Sequence, residues 1–337
     1  MKVLRASVVA VVLASSWACG APAPEAAPPN TPHEPTPGPD VAPPPEAAHL
    51  SAEVTKGVTS LEANDVAGAK AHFQAALQAD AKDADAHYYL GVVAEKAPDL
   101  AAAEASYKSA LKLRPGFEGA AVNLSGLYDD AQRYDDALGI TSAAVAEHPK
   151  NGSLHLNAAI AFAGKKDAAS AQREFEAATQ ISKGDATFRL VYGHWLVALG
   201  QADAALTQLQ AALALAGTNV GVVAAVGHEL HVAKAFAPCV AAMDKAVGLK
   251  DAAELRTERA ACKIGLKDDA GALADLRAAV ASDPSFAPAQ YYLGNQLAKA
   301  GDFPAAVIAY QTFLKLEPNG PLAKAVQEKI KLAQQRH

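Results

Sequence analysis

The sequence is short of the residues on which several common protein classes depend. It holds three cysteines in 337 residues, which excludes a disulfide-stapled mini-fold and any zinc or iron–sulfur centre built from cysteine alone. Only 6% of residues are aromatic while 51% are hydrophobic. Alanine and leucine therefore supply the apolar content, as in packed helices, and not the β-branched and aromatic residues that strands favour. Positive charge is not in excess: 30 Lys and Arg against 36 Asp and Glu leave a net charge of −6. A basic footprint for a phosphate backbone is missing, so no nucleic-acid partner is expected. Catalytic motifs are missing as well. Glycines occur singly and form no phosphate-cradling loop, and no serine sits in a nucleophile-elbow context. The nearest approach to a zinc-protease motif is His228-Glu229-Leu230-His231, whose histidines are three apart and not the four that put both on one metal. No enzyme activity, cofactor, metal or small-molecule substrate is expected.

What is present begins with Lys2 and Arg5, an apolar run over residues 6–14, and small residues around Ser15, Ser16 and Ala18. This three-part plan reads as a signal peptide over residues 1–18, its apolar run too short to span a bilayer permanently. The stretch Ser16-Trp17-Ala18-Cys19-Gly20 resembles a bacterial lipoprotein signal, although Ser16 and Trp17 depart from the residues that family prefers there. The resemblance implies a diacylglycerol on Cys19, a membrane contact through that lipid anchor, and, with Gly20 following, an outer-membrane location facing the periplasm. Cleavage after Ala18 or Ala21 to give a soluble periplasmic protein is the alternative. Residues 19–49 follow as a linker; eleven of the 28 residues over 21–48 are proline, a composition that favours extended polyproline II and cannot bury a core. At about 3.1 Å per residue such a segment reaches roughly 90 Å.

A 34-residue period runs through the remainder. Residues 84–117 contain Leu90-Gly91, Ala103, Tyr107, Ala110 and Pro115; the next unit repeats this with Leu124-Ser125, Tyr128, Ala137, Thr141, Ala144 and Pro149. These residues resemble the tetratricopeptide repeat, in which small residues at positions 8 and 20 let two helices cross closely. Larger residues at positions 7, 11 and 24 fill the gaps, and proline near position 32 ends the second helix. Seven to eight such repeats fit residues 50–320, with the sixth one residue short over 220–252. The resemblance implies an all-α solenoid, a right-handed superhelix of antiparallel helix pairs. Residues 321–337, with Lys324, Glu328, Lys329 and Lys331 on an outer face, read as its capping helix.

The same register picks out a candidate partner-binding groove. His194 and His228 are 34 apart at position 9, which faces the concave side in the family, and His231 lies at the neighbouring position 12. Asn123 and Asn157 are 34 apart at position 6, where an amide can pair with a peptide backbone or cap local polar groups. Leu156, Ile160, Leu190 and Val197 form an expected apolar stripe on the inner face. Cys239 and Cys262 read as two small buried thiols, one at a position normally held by alanine; a disulfide between adjacent repeats is the alternative. The expected function is a non-catalytic scaffold of the bacterial cell envelope that binds a protein or peptide in its groove. An adaptor holding an envelope hydrolase or peptidase in place is the second reading.

Overall fold

A computed structural model describes residues 50–335; the expected signal peptide, Cys19 and the linker lie outside the described residues. All secondary structure among the described residues is helical. The helices come in pairs: α1 (Ala52–Glu62) with α2 (Val66–Ala79), α3 (Ala84–Lys96) with α4 (Leu100–Leu113), α5 (Glu118–Asp130) with α6 (Tyr134–Glu147), and α7 (Gly152–Gly164) with α8 (Ala168–Ile181). Then follow α9 (Ala186–Ala198) with α10 (Ala202–Leu215), α11 (Val220–Val232) with α12 (Phe236–Leu249), α13 (Ala253–Gly265) with α14 (Asp269–Ser282), α15 (Ala287–Lys299) with α16 (Phe303–Leu316), and a last helix α17 (Ala323–Gln334). The described residues fall into two compact units, 50–183 with α1–α8 and 184–335 with α9–α17.

Local chemistry explains where each pair turns. Backbone φ is positive at Asn64, Gln132, Lys166, Gly200, Lys234, Lys267 and Gly301, one residue in seven of the eight turns. Such a left-handed residue closes the first helix: after Asn64, the Asp65 N–H bonds back to the Ser60 carbonyl at 2.8 Å. The next residue starts the second helix. Asp65, Asp99, Asp167, Asp268 and Asp302 each accept a backbone N–H of the first turn they cap. Stop and start signals are thus adjacent in sequence, which leaves three-residue connections and forces the two helices to pack against each other.

In five of the repeats how closely they pack is set at a glycine. A Cβ added to Gly91 would lie 2.5 Å from the Tyr107 ring, and one on Gly57 2.4 Å from the Phe73 ring. Gly193 with Leu209, Gly227 with Met243 and Gly294 with Tyr310 repeat the arrangement. Facing them is a column of alanines, Ala69, Ala103, Ala137, Ala171, Ala205, Ala272 and Ala306, all without solvent exposure. In the first unit the core joins Phe73, Tyr107, Leu124 and Tyr128; in the second, Leu276, Leu293, Tyr310, Phe313 and Val326 form a core that α17 helps to cover.

One position departs from the sequence reading. Cys239, the single non-alanine member of that column, forms a disulfide with Cys262, joining α12 to α13 with a Cα separation of 5.9 Å. The expectation of two separate buried thiols is corrected: both side chains are fully buried, and at adjacent repeats the register brings them face to face. The crossing contacts give a direct test. Gly91→Ala is expected to destabilise the protein by roughly 1–3 kcal/mol, because the Tyr107 ring has no room to yield. Gly139→Ala, in mid-helix with nothing within 4 Å of the added carbon, is expected to stabilise it by about 0.5–1 kcal/mol. Urea titrations of the two variants against the parent measure both signs.

Candidate functional site

The expected groove residues divide by depth. In the second unit, α9, α11 and α13 are successive first helices of their repeats, and they carry His194, then His228, Glu229 and His231, then Glu258. The Nδ1 of His194 lies 2.9 Å from Oε1 of Glu229, and the Nδ1 of His228 lies 3.1 Å from Oε1 of Glu258. The same Glu258 oxygen is 3.6 Å from Nδ1 of His231. Imidazole and carboxylate therefore join α9 to α11 and α11 to α13. The 34-residue spacing of the histidines puts both on one face; their partners were not read from the sequence, although Glu229 in the apolar run Val226-Gly227-His228-Glu229-Leu230 was the available signal.

The electrostatics follow the geometry. Burial pushes the Glu258 carboxyl up, but hydrogen bonds from His228 and His231 outweigh it and hold the group down at about 2. The hydrogen bond to Glu229 raises His194 above the usual imidazole value, against burial that lowers it. Among the described residues, no group of three or more His, Cys, Asp or Glu could hold a metal ion. A second ionic cluster nearby was also missed from sequence: buried Asp275 on α14 receives two bonds from Arg259, at 2.8 and 2.5 Å, and one from Lys263 at 2.8 Å. Arg259 also reaches Asp244 of α12 at 2.9 Å. Burial raises the Asp275 carboxyl and the guanidinium and ammonium bonds more than reverse that, so it stays ionised.

In the first unit the two asparagines bond within the protein. Asn123 is 6% exposed and its amide donates to the Tyr107 hydroxyl at 3.1 Å. The Asn157 amide on α7 donates to the Val122 carbonyl at 2.9 Å and to the Ser125 hydroxyl at 2.8 Å, both on α5. The apolar stripe also splits. Leu156 and Leu190 are 4% and 0% exposed and belong to the interior, which corrects their expected place on an open groove, and His228 at 3% is likewise buried. Leucines at these positions are long enough to reach between neighbouring helices, so burial gains more than a solvated face would. Ile160, Asn157, Val197, His194 and His231 keep partial exposure.

These features define the class of the chain, and comparison with known proteins agrees. Tetratricopeptide-repeat family models match residues 55–116, 270–321 and 93–161. These segments are tetratricopeptide repeats, and the fold is an all-α tetratricopeptide fold. Proteins built from such repeats bind protein partners and are generally non-catalytic scaffolds. Among solved structures, the C-terminal part of a tetratricopeptide protein from Cytophaga hutchinsonii aligns at 14% identity and TM-score 0.55, covering 71% of this chain and 98% of that one. Yeast Tom70 aligns at 14% identity and TM-score 0.52, covering 88% of this chain and 66% of that one. The APC/C hetero-tetramer Cut9–Hcn1 aligns at 15% identity and TM-score 0.47 over 83% of this chain, which spans 55% of the length of that one. At these identities the likeness is one of fold. A search of curated proteins finds no match.

The pH dependence of the Glu258 cluster is testable. Because its folded value lies below the ordinary 4.5 of a glutamate, its contribution to stability is present above about pH 4.5 and is lost as pH falls toward 2. Glu258→Gln is expected to lower stability by on the order of 1–3 kcal/mol at pH 6. That difference from the parent should close progressively between pH 4.5 and 2, as read from thermal melts of both proteins across the range.

Proposed function

We propose that the chain is a non-catalytic interaction scaffold of the bacterial cell envelope, tethered by lipid on Cys19 and gripping a protein or peptide with the partly exposed inner residues of its first helices. The observation that carries this reading is the repeat fold itself, whose members bind protein partners. Two further points support it. The Cys239–Cys262 disulfide suits an oxidising compartment such as the periplasm. The basic start, short apolar run, Ala18-Cys19-Gly20 and proline-rich linker suit a lipid-tethered domain. The contact surface proposed in each unit is what burial leaves available: Asn157 and Ile160 in the first, His194, Val197 and His231 in the second. Assembly or anchoring of an envelope machine is the role that such a tethered scaffold would serve.

Two variants separate the tether from the grip. Cys19→Ser is expected to move the protein from the membrane fraction to the soluble periplasm; identical fractionation of variant and parent rules out the lipid anchor. Ile160→Asp combined with Val197→Asp is expected to reduce partner capture from envelope extracts at least tenfold, since a few apolar anchors carry most of an interface's energy, roughly 1–4 kcal/mol each. Circular dichroism should show helical content unchanged, and undiminished capture by the folded double variant moves the site elsewhere.

A further inference from the structure

We propose that the Cys239–Cys262 disulfide is an oxidation-dependent clamp that holds the junction between α12 and α13, so that cohesion of the last repeats depends on the redox state of the compartment. One repeat departs from the others at the crossing position of its second helix. Seven of the eight repeats place a fully buried alanine where α2, α4 and their counterparts cross the preceding helix, and one places Cys239. Packing alone is satisfied by alanine there; within its own repeat Cys239 adds only an Sγ contact to the Gly227 carbonyl oxygen at 3.2 Å. Beyond its own repeat it adds a bond to the next, because Cys262 sits opposite at a Cα separation of 5.9 Å, within the span a disulfide requires.

The bond falls at a junction whose first helix starts without a side-chain cap. The first helices α3, α7, α9 and α11 begin at Asp83, Asn151, Asp185 and Asn219, each accepting a backbone N–H of its own first turn. Helices α5 and α15 begin instead at Phe117 and Phe286, whose rings pack into neighbouring apolar residues. Helix α13 begins at Ala252, which makes no side-chain cap and carries no ring. Second helices otherwise begin at intervals of 34 residues from Val66 to Phe236, but Asp269 follows Phe236 by 33, so the junction is also one residue short. Between α12 and α13 the Phe236 ring also packs over Gly265 and Arg259 pairs with Asp244, and between the same two repeats Glu258 of α13 meets His228 and His231 of α11. Asp244 is more than half exposed, so that pair is weakened by solvent. A covalent link closing a loop of 23 residues' separation adds a bond that solvent does not weaken.

Burial decides how the clamp behaves. Both cysteines have no exposure to solvent, so a reductant reaches the sulfurs only when α12 and α13 separate locally, and the clamp stays closed while the repeats stay stacked. Opening it with dithiothreitol breaks the S–S bond. The reagent supplies two electrons and two protons, leaving a thiol on each cysteine, and itself closes into a cyclic disulfide.

The test uses the full chain purified without reductant, its Cys239→Ala variant, and the parent treated with dithiothreitol in mild urea. The proposal expects a linked pair of peptides containing Cys239 and Cys262 after digestion of the unreduced parent. It expects the variant and the reduced parent to melt together, roughly 6–12 °C below the oxidised parent. Hydrogen exchange should show protection lost from α13 to α16 and retained in α3 to α6. Alanine is the native residue of seven equivalent positions, so the variant should fold; if it does not, the reduced parent alone decides the outcome. Free thiols at both positions in the unreduced parent overturn the proposal. So does a midpoint in the reduced parent within about 2 °C of the oxidised one, or protection lost evenly along the chain.

Discussion

The close crossing of two helices at a residue without a side chain is the constraint on which the rest depends. At Gly91 and Tyr107 an aromatic ring occupies the volume a Cβ would fill, and four further repeats copy the contact with Phe73, Leu209, Met243 and Tyr310. Because that distance is fixed, the residues around it are tied in size. Alanine faces the crossing in seven repeats, and where the large residue shrinks to Thr141, the glycine becomes Ser125, both fully buried. Close-packed interiors tolerate few other combinations. The three-residue turn follows from the same constraint, since a left-handed residue and an aspartate cap are the shortest way to bring the second helix back at that separation.

Between repeats the packing is looser and polar groups do more. Asn157 reaches the Val122 carbonyl, His194 reaches Glu229, His228 reaches Glu258 and Arg259 reaches Asp244, in each case from one repeat to its neighbour. A buried imidazole or carboxylate left without its partner would cost about 1–3 kcal/mol, so a slipped stacking register is penalised where His228 meets Glu258 and where His194 meets buried Glu229. Apolar contacts hold the helices together, and these polar pairs specify which residues meet. The disulfide at Cys239 acts at the same level, joining neighbours at the one junction whose first helix has neither cap nor ring.

The fold was legible in the sequence because its constraint is periodic. Glycine, alanine and aromatic residues at intervals of 34 name the crossing, and the 33-residue sixth repeat was visible as an interval before any helix was placed. The candidate site was legible only in part. Register tells which face of a helix a residue occupies but not how deep that face lies. Leu156 and Leu190 stand at the same register as half-buried residues of other repeats, yet they are enclosed. Ion pairs were hidden for a related reason: Glu258 and Asp275 find partners on other helices, 30 and 16 residues away in sequence, and single-helix patterns do not report such contacts. The cysteine pair lay between these cases. Its place in the alanine column was readable, and its partner's position in the next repeat was known, but composition alone could not decide between packing and bonding.

The same geometry commits the titratable groups of the first helices to partners on neighbouring helices. Proton transfer near neutral pH needs a group whose affinity for protons lies close to the working pH and which can change state. Glu258 is held ionised down to about pH 2 by two imidazoles, and a guanidinium and an ammonium lower the Asp275 carboxyl below its ordinary value. His194 is the inner imidazole whose value moves upward, and its Nδ1 is already committed to Glu229. These side chains are paired with groups on neighbouring helices and hold them in register. What the proposed contact surface would offer is therefore partial apolar exposure, at Ile160 in the first unit and at Val197 in the second. A surface of that kind recognises by fit, which is the property a repeat scaffold supplies.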